Sequence, residues 1–294
     1  MSQYQRLLLI INPALRHSPA INHAAALAKA SGASLHIAAL AKPVEILSLL
    51  EENVREKARQ SYLQDHTEWV KNQAKNLRGR GIEVTMEVTW ADDLQQDILD
   101  HVTDIQPDVV IKQTQHESAL KRAFFTPLDW RLLRHCPVPV YLVGGDAHAL
   151  PRKVVAAIDA SDTAPANNEL NERIIQQAIS LALQCGAELH LLYACDISAV
   201  YMTDMGGLAL SDLTEDLRRN DEQSFLNLAH RYGVPADRHH FILGQPVSAL
   251  SEFASEQEMD VIVMGRAQYH GLEKLLGSTT EHILYQVACN VLAV

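Results

Sequence analysis

The chain holds 294 residues, with 25 Lys plus Arg against 36 Asp plus Glu and a formal charge of −11. At about 150 residues per domain this length favours two domains, and a hydrophobic fraction of 47% belongs to a folded chain, not a disordered one. The acidity argues against general nucleic-acid binding, because a negative protein repels the phosphate backbone, and no run of 18 apolar residues is present to span a membrane.

In chain order, short apolar runs alternate with helical patterns. Runs at 7–11, 35–40, 82–88, 109–112 and 140–143 predict five strands, each continuous in apolar character as expected for strands covered on both faces. The run at 7–11 is too short for a signal peptide. Between the second and third runs, Val54, Ala58, Tyr62, Trp69 and Leu77 keep near-helical spacing, and Gly79 is the expected stop. Gly144, Gly145 and Pro151 then punctuate a short join. Runs at 154–158, 189–194, 240–243, 261–264 and 290–294 predict five more strands. Leu213, Leu217, Phe225, Leu228 and Tyr232 give the matching helical stripe before Gly233.

The halves are copies. LAKASGASLHIAAL at 27–40 matches LALQCGAELHLLYA at 181–194 in six of 14 positions, at an offset of 154. Asp108-Val109-Val110-Ile111 answers Asp260-Val261-Ile262-Val263 at 152, and Cys136-Pro137-Val138 answers Cys289-Asn290-Val291 at 153. Matches in one order at nearly one offset mean a duplicated domain, not a solenoid turn. Domains over 1–146 and 151–294 are expected, each a five-stranded doubly wound α/β unit with a parallel sheet and right-handed crossovers. Ligands of such sheets bind at the carboxyl ends of the strands, where strand order reverses. Duplication also predicts that the domains pack as an intramolecular pseudo-dimer through their final strands or adjacent helices, and it admits a homodimer.

Three stretches are candidates for chemistry. The segment 265–281 leaves a strand end, passes through glycines and closes on Gly277-Ser278-Thr279, with Ser278 and Glu281 spaced as a capping box. Free backbone N–H groups at such a helix start can cradle phosphate. Asp159, at the end of the copy's first strand, would sit beside the same crevice and accept from a base or ribose donor. An acid at a strand end and a capped helix also occur with no ligand at all. The second stretch is basic: Lys112, His116, Lys121, Arg122, Arg131, Arg134 and His135. It reads either as an anion site or as solvated charge favoured near a helix C-terminus. The third, 196–211, is loop-like yet apolar, with Val200, Tyr201, Met202 and Met205 at its centre, and 42–50 is its first-copy counterpart. Such a loop covers something, either another domain or subunit, or a pocket for a hydrophobic small ligand.

Catalytic motifs are lacking: no GxSxG, HExxH or Walker lysine is present. The 14 histidines show no metal-ligand spacing, and His36 and His190, at equivalent strand positions, suggest a repeated packing role. Cys136, Cys185, Cys195 and Cys289 form no CxxC pair, which fits buried thiols in a reducing cytoplasm.

Two tandem copies, each opening like VVAAIDASD and closing like DVIVMGR…GSTTEHIL…CNVLAV, resemble the universal stress proteins over nearly the whole chain. That resemblance implies sheet order 3-2-1-4-5 and a cytoplasmic role in survival under starvation and DNA-damaging stress. ATP-binding members carry G-x2-G-x9-G-[S/T]. Only Gly265, Gly277 and Ser278, with Asp159, carry over; Gln268 occupies the second glycine position and the spacing to Gly277 is one residue short. In the first copy Asn12 replaces the Asp, Lys112 and Gln113 fill the strand end, and Thr126-Pro127 replaces Gly-Ser. The resemblance therefore implies a non-enzymatic binding or scaffold protein without cofactor, or alternatively a nucleotide sensor with ATP or weak ATPase activity in the second domain only.

Overall fold

The structure, a computed structural model, describes residues 3–41, 49, 51–114, 127–144, 148–161, 165–197, 208–266, 282–284 and 286–294. Contacts divide the chain into a first unit, Ser2–Val143, and a second, Gly144–Val294.

The first unit runs β1 (Arg6–Ile11), α1 (Pro19–Ser31), β2 (Ser34–Ala41), α2 (Glu52–Gly79), β3 (Val84–Trp90), α3 (Leu94–Ile105), β4 (Val109–Gln113), α4 (Leu128–His135) and β5 (Val140–Val143). Its strands are parallel and lie in the order β3-β2-β1-β4-β5. The second unit runs β6 (Lys153–Ile158), α5 (Pro165–Cys185), β7 (Glu188–Cys195), α6 (Leu208–Arg231), β8 (His239–Leu243), α7 (Pro246–Glu256), β9 (Val261–Met264) and β10 (Asn290–Ala293). Its order, β8-β7-β6-β9-β10, repeats the first, again all parallel. Both sheets thus have the order 3-2-1-4-5 expected from the sequence. Leu7, Leu8 and Leu9 in β1 are all fully buried, as are Val154, Val155 and Ala156 in β6. Burial on both faces is why these strands read as unbroken apolar runs.

The repeated aspartate has a structural purpose. Asp108 Oδ2 accepts the backbone N–H groups of Gln5 and Arg6 at 2.6 and 2.8 Å. Asp260 Oδ2 takes those of Arg152 and Lys153 at 2.7 and 3.1 Å, and His148 Nδ1 lies 2.9 Å from its Oδ1. In each unit the residue before the fourth strand staples the start of the first. Burial pushes the Asp260 carboxyl up, but the Arg152 N–H, the His148 hydrogen bond and the Lys153 N–H outweigh it and hold the pKa below the ordinary value.

Two helical stripes differ from expectation. In α2 the buried face is His66, Val70, Ala74 and Leu77, while Val54 is half exposed. The left-handed residue after α2 is Gly81 (φ 83°), not Gly79, and Ile82 donates its N–H to Leu77. Ile82 therefore belongs to the helix exit, and the third strand starts two residues later than its apolar run. Among the described side chains of α6 the buried face is Thr214, Asp221, Phe225 and Ala229, and Leu217 is exposed. Apolar spacing misplaced this face because polar residues occupy half of it. The helix also begins at Leu208, inside the stretch expected to be loop.

Candidate functional site

Each unit has a cavity at the carboxyl ends of its strands, the position that reversal of strand order creates. In the second unit it measures about 450 Å³. The β6 end supplies Ile158 and Asp159, the β7 end Tyr193 and Asp196, and the β9 end Met264 and Gly265, while α5, α6 and α7 wall it with Asn171, Asp221 and Leu250 among others.

Asp159 is held from several sides. Its backbone N–H donates to Asn171 Oδ1 at 3.1 Å, and its carbonyl accepts from Asn171 Nδ2 at 2.6 Å and Asn167 Nδ2 at 3.1 Å. Asn171 is buried, and both ends of its amide are spent on the backbone of this one residue. The Asp159 carboxylate takes the Ser161 N–H at 3.0 Å and the Ser161 hydroxyl at 2.6 Å, both on Oδ1. The residue is exposed and lines the cavity.

Gly265 does reach the same cavity, for a reason of packing. A Cβ built there would lie 2.8 Å from Leu170 Cδ2, so α5 and the β9 end approach too closely for a larger residue unless Leu170 shifts. Gly277, Ser278, Val200, Tyr201, Met202 and Met205 lie outside the described residues.

Deeper in, the Tyr193 hydroxyl donates to Asp221 Oδ2 at 2.9 Å, and the Cys195 thiol lies 3.5 Å from the same oxygen. All three are buried. Burial, then the hydrogen bond to Asp221, pushes the Tyr193 phenol well above its usual range. Burial, then the Asp221 charge, pushes the Cys195 thiol up to about 11. A thiol so protonated is a poor nucleophile. Sequence spacing missed this group, because Asp221 comes from a helix and Tyr193 from a strand. The Asn167 and Asn171 pair, one helical turn apart just after Asp159, was a signal that could have been read.

Electrically the cavity is acidic. Asp159, Asp196 and Asp221 line it over an apolar floor that includes Ile174, Leu192 and Met264, and no Lys or Arg is among the described lining residues.

The first unit's cavity is smaller, about 270 Å³, and is lined by Asn12, Ser18, Lys112 and Gln113 among mostly apolar side chains. Lys112 Nζ donates to Asp129 Oδ1 at 2.7 Å and to the Gln113 carbonyl at 2.8 Å, and both charged groups are buried. Lys112 therefore does not serve an anion site: Asp129 already neutralises it. Arg131 is 3.7 Å from Asp93, and Arg134 stacks over Trp130. His116, Lys121 and Arg122 lie outside the described residues. Cys136, Cys195 and Cys289 are buried thiols.

Known proteins confirm what the fold suggests. The universal stress protein family model matches residues 3–144 and again 151–294. The chain belongs to the universal stress protein family, as a tandem of two such domains. It is 25% identical to Universal stress protein E of Escherichia coli K12 over 100% of this chain and 95% of that one. It is 28% identical to the Universal stress protein E of Photorhabdus laumondii over 100% and 96%. A functionally unknown protein from Pseudomonas aeruginosa PAO1 shares the fold at a TM-score of 0.76 and 23% identity, over 99% and 92% of the two chains. A universal stress protein from Archaeoglobus fulgidus does so at 0.70 and 17%, over 99% and 96%.

Proposed function

We propose that this chain serves the stress response as a non-enzymatic cytoplasmic binding protein, and that the second unit's cavity receives its ligand. One observation carries the reading: Asp159 and Asp221 line the cavity over an apolar floor, with no Lys or Arg among the described lining residues. Like charges repel, and a low-dielectric wall strengthens the repulsion, so a triphosphate is disfavoured there. A small neutral or cationic molecule with an apolar body fits better. The role in survival under starvation and DNA damage, and association into a homodimer, belong to the same proposal by family.

A nucleotide sensor is the second reading, favoured by Asp159 and Gly265 meeting at one cavity. One experiment separates the two. The purified chain is scanned at 260 nm for retained nucleotide, then titrated calorimetrically with ATP and with adenosine. No retained nucleotide, and ATP binding no tighter than adenosine, supports the binding-protein reading. Retained ATP, or ATP binding tighter than adenosine, overturns it. If the apolar loop contributes to the pocket, Met202→Asp with Met205→Asp abolishes apolar-dye binding.

A further inference from the structure

The outer edge of the first unit brings together three side chains that no motif connects. In β2 and β3, His36 stands opposite Thr85 and Ala38 opposite Glu87. Partners in parallel strands point to one side, and residues two apart share a face, so these four form a patch on one face of the sheet. The α3 helix lays His101 over that patch, its ring centroid 6.2 Å from that of His36. Ala38, the smallest side chain of the four, leaves room beside Glu87.

Each imidazole is anchored by its inner nitrogen. His101 Nδ1 is 2.7 Å from the Asp97 carbonyl oxygen, and a carbonyl only accepts, so His101 carries a proton on Nδ1. His36 Nδ1 is 2.7 Å from Thr85 Oγ1. Both Nε2 atoms are buried without a hydrogen-bond partner among the described residues. Glu87 Oε2 is 3.6 Å from His101 Nε2. One ligand atom from each of His36, Glu87 and His101 lies within 4.8 Å of the others.

A buried lone pair on His101 Nε2 facing a carboxylate, with the unpartnered Nε2 of His36 beside it, forms a costly arrangement when nothing sits between them. One cation would satisfy all three. We propose that His36, Glu87 and His101 form a transition-metal site, for which Zn²⁺ is the best-matched ion. Two imidazoles and one carboxylate are borderline donors suited to zinc. Both histidines already have the outer hydrogen bond, to a hydroxyl or a backbone carbonyl, that orients metal-bound imidazole. Tetrahedral zinc needs its ligand atoms about 3.4 Å apart, given bonds of about 2.1 Å. The three ligand atoms would close to that spacing from within 4.8 Å, and the Glu87 side chain, 54% exposed, has room to move inward. Its exposure also leaves the fourth position to water.

The second unit carries the same positions with different residues. By register and by the repeat offset, His190 answers His36, His240 answers Glu87, and Phe253 answers His101. His190 Nδ1 and His240 Nε2 are 3.0 Å apart and pair with each other, His190 Nε2 lies 3.7 Å from Glu188 Oε2, and the Phe253 ring packs 4.5 Å from that of His240. Phenylalanine removes the third ligand, so the duplicated unit is a built-in control.

The test is titration of the full chain, stripped by chelator, with Zn²⁺ by calorimetry and with Co²⁺ by visible absorbance. The expected result is one tight ion per chain and a tetrahedral Co²⁺ band. His101→Phe, which installs the second unit's residue, should weaken Zn²⁺ binding by more than the roughly 10- to 100-fold that loss of an outer partner costs. His190→Phe should leave it unchanged. Glu87→Gln, at an exposed position, removes a ligand without touching the core and should also weaken binding, whatever His101→Phe does to folding. Absence of a tight site in the unaltered chain overturns the proposal, as does equal Zn²⁺ affinity in the chain carrying Glu87→Gln.

Discussion

The two units share one fold and one chain order, yet they use the strand-end crevice in opposite ways. In the first, Lys112 lines the crevice and is neutralised by Asp129 of α4 in a buried ion pair. In the second, Met264 and Gly265 stand at the corresponding strand end, the crevice stays larger, and its carboxylates have no cation among the described lining residues. A duplicated scaffold keeps the interactions that build the sheet, such as Asp108 and Asp260, while the crevice is open to change. Structural demand acts on the strand starts, and function on the strand ends.

The largest expected effect breaks the buried ion pair of the first crevice. Lys112→Ala leaves the Asp129 carboxylate buried without its ammonium, and should destabilise the first unit by about 3–5 kcal/mol in urea unfolding. Lys112→Met combined with Asp129→Leu should recover most of that loss, because an apolar pair of similar volume carries no desolvation cost. Ligand binding in the second crevice should not change in either variant.

A smaller effect concerns acid. Burial, then the neighbouring His190 and His239, lowers the His240 pKa to about 4. Unfolded His240 therefore binds its proton first as pH falls, so the stability it favours is intact above about 6.5 and is lost between about 6.5 and 4. His240 is partly exposed, so the discounted loss is about 2 kcal/mol. In the first unit Glu87 stands at this place and opposes the lowering of the His36 pKa. His240→Gln should flatten the pH dependence of the second unit between pH 6.5 and 4, measured by chemical denaturation at stepped pH. An unchanged slope would place the acid sensitivity elsewhere.

Tyr193→Phe removes the hydroxyl that donates to buried Asp221, and should cost about 1–2 kcal/mol in second-unit stability. The Cys195 thiol remains beside Asp221 as a weaker donor, which keeps the loss at the low end. Gly265→Ala is the mildest. The new Cβ would lie within 3 Å of Leu170 Cγ, Cδ1 and Cδ2, so Leu170 must shift, and stability should fall by about 1 kcal/mol. Leu170 would turn into the cavity, and ligand affinity should drop more than the melting temperature does. The reverse pattern would mean that Gly265 matters for packing alone.

The fold was legible because its two strongest signals do not depend on distant contacts. The repeat at 27–40 and 181–194 lies within single helix–strand joins, and doubly covered strands advertise themselves as unbroken apolar runs. Most strand ends fell within one residue of their apolar runs; β3 moved by two at both ends, at its start because the helix exit takes Ile82. The site was legible in part. Asp159 and Gly265 could be placed because each ends a strand. Asp221 could not, since a buried aspartate on a helix breaks the apolar periodicity used to find helix faces. The histidine cluster was missed for a different reason. His36, Glu87 and His101 belong to three elements, and only strand register and helix docking bring them together, so no spacing in the sequence encodes them.

The aspartate staple has a consequence in time. Asp108 fastens the chain near Arg6, 102 residues earlier. At roughly 5–20 residues per second, the ribosome needs on the order of 5–20 s to deliver Asp108 after Arg6 has been made. During that interval β1 can pair with β2 on one side, but its other edge has no partner and its first peptide groups have no acceptor. An unpaired central strand edge is a template for mispairing. The second copy repeats the wait between Arg152 and Asp260, 108 residues apart. The nascent chain therefore passes twice through a window in which a buried central strand is half covered, and because β4 and β9 follow their aspartates in the chain, translation slowed just after either aspartate would lengthen the exposure, whereas a pause after β4 or β9 would lengthen the time available for closure.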